Sequence, residues 1–122
     1  CSASEQKILT EYGGSIVLYP FDGPVSFGAA KGIAKRLVLD ESHKILILDL
    51  TDVPMVDTTG AFALDDVIVN ARELDASVIL AGANDKVVDV LTRLGVMAGM
   101  AQSQSVATRQ AALEMAEHLI RD

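Results

Sequence analysis

The chain has 122 residues, a formal net charge of −7 and half its residues apolar, which fits one domain around one core and excludes a disordered polypeptide. The acidic balance argues against nucleic acid or an anionic membrane surface as a direct partner, and no apolar run reaches the ~18 residues of a membrane span. A single cysteine, Cys1, excludes an internal disulfide framework and a cysteine-based metal site.

The chain begins Cys-Ser-Ala-Ser rather than with Met, as expected of a piece cut from a longer or tagged protein. Residues 7–11 predict a short edge strand. Residues 15–19 predict a better one, entered through the Gly13-Gly14 turn. After a loop at 21–24, Ser26 is placed to cap a first helix. Phe27, Ala30, Ala34, Leu37 and Val38 give that helix one apolar face, and Lys31, Lys35 and Arg36 take the other. Close packing accounts for Gly28 and Gly32 within it.

Residues 44–50 are apolar on both faces, the pattern of a central strand covered by helices. A second helix is expected from about Thr59 to Leu74, with Leu64, Val67, Ile68, Ala71 and Leu74 as its stripe. Residues 77–81 form another buried-type strand, ended by Gly82. Asn84 is placed to cap a third helix with Val87, Val90, Leu91 and Leu94 inside and Gly95 just past its end. Residues 96–100 predict a weak last strand. Ser105 is then expected to cap a final helix reaching about Arg121, with Ala112, Met115, Ala116 and Leu119 inward.

This alternation predicts an α/β fold: a mixed sheet of four to five strands flanked by about four helices, mainly on one face. Residues 45–50 should lie at the centre, with Ile47, Leu48, Leu64, Ile68, Leu80 and Leu91 in the core. An α/β domain of this size cannot bury all of its apolar residues. The expected excess lies on the sheet's uncovered face or beside the first strands, where Ile8, Ile16, Leu18 and Tyr19 are the candidate self-association patch.

The segment 45–60 is the most informative. An apolar strand runs into acidic residues, Pro54 breaks it, and Asp57-Thr-Thr-Gly60 opens a helix. Thr58, Thr59 and Gly60 thereby lie at a helix N-terminus, where free N–H groups and the dipole favour an anion or a phosphoryl group. Helix capping by the threonines is the simpler role. Asp65 and Asp66, expected in the first turns, suit the dipole and would repel a phosphate at Thr58.

Asp49 at a strand end suggests a phospho-accepting receiver, but the pattern argues against it. A receiver needs an acidic pair after its first strand to hold Mg²⁺, and only Asp22 lies there. His43 and His118 each lack a second ligand at metal spacing. No Ser-His-Asp order, credible carboxylate pair or phosphate-cradling glycine loop is present. No catalytic residue, metal or cofactor is therefore assigned, and the reading is non-enzymatic.

Four pieces in order resemble the STAS domain, the fold of bacterial anti-sigma factor antagonists and of the cytoplasmic tails of SulP-type anion transporters. Leu48-Asp-Leu-Thr-Asp-Val-Pro54 with Asp57-Thr-Thr-Gly60 is similar to the family's strand-loop-helix signature, to which Asp49 and Asp57 belong. Val78-Ile-Leu-Ala-Gly82 resembles the next strand, and Val90-Leu-Thr-Arg-Leu-Gly95 the helix ending in Gly. Asp22-Gly-Pro-Val-Ser-Phe-Gly-Ala-Ala30 resembles the transporter-type turn through Gly23, Pro24 and Phe27.

The resemblance covers about residues 7–120 and implies one STAS domain spanning 1–122. It implies the cytoplasmic regulatory and dimerisation domain of an integral membrane carrier for sulfate, bicarbonate or a similar small anion. The implied location is the cytoplasmic face of the cell membrane. The implied partners are the carrier's own upstream transmembrane domain and a second copy, with a regulatory protein or nucleotide as a further candidate. The alternative is a soluble anti-sigma factor antagonist. In that branch the hydroxyl residue after the signature Asp is phosphorylated, a role that carries to Thr58, although Thr stands here in place of the commoner Ser.

Overall fold

The structure is a computed structural model and describes residues 15–23, 25, 45–96 and 105–121. The expected elements at 7–11 and 26–38, most of the one at 96–100, and the site candidates Ile8, Pro24 and Phe27 lie outside the described residues.

Four parallel strands form one sheet in the order β1 (Ile16–Asp22), β2 (Ile45–Asp52), β3 (Ser77–Ala81) and β4 (Ser105–Val106). Three helices flank it among the described residues: α1 (Thr58–Glu73), α2 (Asp85–Arg93) and α3 (Arg109–Arg121). None is long and apolar enough to cross a membrane.

The double-sided apolar character of β2 is explained by its cover. Alternate side chains point to opposite faces of a strand. Leu46, Leu48 and Leu50 join Val78 and Leu80 of β3 against Leu64, Val67 and Ile68 of α1 and Val87 and Leu91 of α2. Ile45 and Ile47 join Ile79 and Ala81 against Ala112, Leu113 and Ala116 of α3. The six core candidates are all buried. Helices α1 and α2 share one face, as expected, and α3 closes the other.

Helix boundaries follow capping chemistry. Asn84 Oδ1 accepts the Val87 N–H at 2.9 Å and starts α2, and Gly95 turns the chain beyond it at φ 76°. Helix α1 ends without a glycine. Asp75 adopts φ 61°, its N–H reaches the Arg72 carbonyl at 3.0 Å, and the Ala76 N–H reaches Ala71 at 2.8 Å, a paired closure of the last turn.

Three expectations are corrected. Ser105 belongs to β4, and Thr108 caps α3 by accepting the Ala111 N–H at 3.0 Å. Leu119 is exposed and Leu113 is buried, because the face of α3 that meets the sheet is rotated from the expected one. Asp65 and Asp66 lie beyond the first turn of α1, which holds no acidic residue.

Candidate functional site

The corner between β2 and α1 is set by Asp57. Its backbone is extended and its Oδ1 accepts the Gly60 N–H at 2.7 Å, while its carbonyl accepts the Ala61 N–H at 2.9 Å. Asp57 is the cap. Capping by Thr58 and Thr59 is therefore corrected: both are helical residues of the first turn and both are exposed. The Asp57 carboxylate stands where an incoming anion would approach, so the corner already carries the negative charge that the helix dipole favours.

Gly60 is buried for a packing reason. A Cβ there would stand 2.9 Å from the Val25 carbonyl oxygen, so only glycine lets the chain at Val25 lie against the first turn of α1. Gly23 of the transporter-like turn has φ 81° and donates its N–H to the Asp52 carbonyl at 3.2 Å. That bond ties the end of β1 to the end of β2. Asn84 braces the same loop from the other side, its Nδ2 donating to the carbonyls of Val53 at 3.3 Å and Pro54 at 3.2 Å.

Asp49 is the one charged residue buried among the described residues, with 3% of its surface exposed. Thr51 donates to its Oδ1 from both the backbone N–H, at 3.1 Å, and the hydroxyl, at 2.6 Å. Arg109, the first residue of α3, reaches Oδ2 at 3.4 Å. Gly82 lies against this group: a Cβ there would collide with the Thr51 hydroxyl. A buried carboxylate must be answered by hydrogen bonds or a counter-charge, and here it has both. This arrangement gives Asp49 a fastening role between β2 and α3. Spacing in the chain pointed to neither Thr51 nor Arg109 as its partner. The signals in the sequence were an acidic residue within an otherwise apolar strand and its place in the STAS-like signature.

The structure does not gather the described self-association candidates, Ile16, Leu18 and Tyr19, into one open patch. Ile16 is buried beneath α3, a correction to its expected exposure. Leu18 and Tyr19 are half-buried and pack toward opposite faces of the sheet, the Tyr19 ring tilted at 56° to that of Phe21 with centroids 5.1 Å apart. Among the described residues no cluster of three or more His, Cys, Asp or Glu is arranged to hold a metal ion.

The STAS domain family matches residues 7–109 of the chain. The bicarbonate transporter BicA of Synechocystis sp. is 32% identical over 113 residues, covering 93% of this chain and 20% of that protein. The chain thus spans about a fifth of the length of the curated relatives it matches. A SulP transporter STAS domain from Vibrio cholerae superposes with a TM-score of 0.86 at 26% identity, covering 98% of each chain. The anti-sigma factor antagonist SpoIIAA in its unphosphorylated form superposes with a TM-score of 0.68 at 14% identity, covering 86% of this chain and 90% of that one. That last likeness is one of fold.

Proposed function

The chain belongs to the STAS domain family, and on that premise we propose that it is the cytoplasmic STAS portion of a SulP-type anion transporter. The observation that carries this reading is the near end-to-end match to the Vibrio cholerae SulP domain. The BicA relatives favour bicarbonate as the transported anion, with sulfate or another small anion as the alternative. Transport itself belongs to a membrane portion whose residues are not in this chain.

The role we assign to this domain is assembly and regulation of the carrier as a homodimer, without enzymatic chemistry. Dimer contacts would involve β1, through Leu18 on one face of the sheet or Tyr19 on the other. The test is anion uptake into proteoliposomes by the complete carrier, with and without this domain, beside the mass of the detergent-solubilised particle. The reading expects altered uptake and loss of a two-copy particle when the domain is removed. Unchanged uptake and unchanged mass contradict it.

One observation favours the second reading, a phosphorylated anti-sigma antagonist. Thr58 is exposed at the start of α1, and its hydroxyl has no hydrogen-bond partner among the described residues. Intact mass after incubation with ATP and host-cell kinases tests it. Stoichiometric phosphate on Thr58 favours that branch, and its absence favours the transporter.

A further inference from the structure

Among the described residues, Phe62 and Val69 on the outward ridge of α1 belong to neither apolar cluster of the fold. Leu64, Val67, Ile68 and Ala71 face the core, and at roughly 100° per residue Phe62, Asp66, Val69 and Glu73 point the opposite way. Phe62 is 51% exposed and Val69 41% exposed, one heptad and about 10 Å apart along the helix. Asp66, Arg72 and Glu73 are exposed and Asp65 is half-buried around them, and none of the four is in an ion pair among the described residues. An open depression adjoins Val69, Arg72 and Glu73. Burying Phe62 and Val69 elsewhere would favour folding, yet both are held in water on the side facing away from the core.

Charge selects the occupant. Three carboxylates against one guanidinium make the ridge negative, on a chain already at −7. Anionic lipid headgroups and nucleic acid are repelled by such a surface, and a second copy would set carboxylates against carboxylates. A helical segment with apolar residues interleaved with Lys or Arg fits it, the apolar side chains covering Phe62 and Val69 while the cations meet Asp65, Asp66 and Glu73. We propose that this ridge docks a Lys/Arg-bearing cytoplasmic segment of the carrier's membrane portion. The source of that segment rests on the transporter reading, since cytoplasmic loops of membrane domains are enriched in Lys and Arg. The chemistry of the surface stands independently of it.

The test is amide chemical-shift mapping of this chain with a synthetic amphipathic helix of Leu and Lys. The expected shifts fall on α1, and the affinity falls as salt rises. Combined Phe62→Ser and Val69→Ser substitution should weaken binding by about tenfold or more with an unchanged melting curve. Asp66→Lys with Glu73→Lys should weaken it too, without touching the apolar pair. Equal binding of the same peptide with Glu in place of Lys overturns the proposal, as does mapping of the shifts away from α1. Binding to phosphatidylserine vesicles, or self-association abolished by Phe62→Ser, overturns it in favour of a membrane or a second copy. Membrane-spanning segments encoded upstream of Cys1 combined with no peptide binding overturn the docking alone. Peptide binding without such segments overturns the assigned source of the partner.

Discussion

Asp49 and Arg109 lie 60 positions apart and meet at 3.4 Å, joining the C-terminal end of β2 to the first turn of α3. The Arg109 side chain is 34% exposed and that of Asp49 only 4%, so the cation keeps part of its hydration while the carboxylate loses nearly all of its own. Removing the cation should therefore cost stability chiefly by stranding the carboxylate. Arg109→Ala is expected to lower stability by about 1–3 kcal/mol, measured by urea titration. Asp49→Asn added to Arg109→Ala should recover part of that loss, because no stranded charge remains. Full additivity of the two substitutions contradicts the pairing.

The start of α1 separates two residues of one motif. Asp57→Ala removes the acceptor of the Gly60 N–H and should cost about 0.5–2 kcal/mol. Thr58→Ala removes an exposed hydroxyl and should change stability by less than about 0.5 kcal/mol. A larger loss from Thr58→Ala than from Asp57→Ala, by denaturant or thermal melting, contradicts the assigned cap.

These residues show how far the sequence could be read. The apolar run at 45–50 had one reading, a covered strand, and Asn84 followed by helical periodicity had one reading, a cap. At 57–59 three consecutive residues were all capable of capping, and only the extended backbone at Asp57 decides among them. In α3 the periodicity pointed Leu119 toward the sheet, where Leu113 lies instead. The choice depends on how the helix is rotated where Arg109 reaches Asp49, a contact between distant residues that local spacing does not encode. Arg109 itself resembled any surface cation.

Asp75 closes α1 at φ 61°, in the left-handed region where a side chain costs about 1–2 kcal/mol relative to glycine. Asp is among the residues that tolerate this region, so the relief is partial. Asp75→Gly is expected to raise stability by about 0.5–1 kcal/mol, visible as a higher melting temperature. An unchanged or lower melting temperature contradicts the left-handed closure.

Leu48 in β2 and Ile68 in α1 are both buried in the same cluster. Truncating either to Ala should cost about 2–5 kcal/mol. A loss below about 0.5 kcal/mol in a denaturant titration contradicts the packing of α1 on this face of the sheet.

Whether this STAS domain is part of an anion carrier is decided by the sequence of the gene upstream of the codon for Cys1. A carrier requires an uninterrupted reading frame encoding several apolar segments of about 20 residues each, with Lys and Arg concentrated in the loops on one side. A frame that opens at this domain, with no such segments joined to it, contradicts membership of a carrier and returns the chain to the anti-sigma antagonist branch.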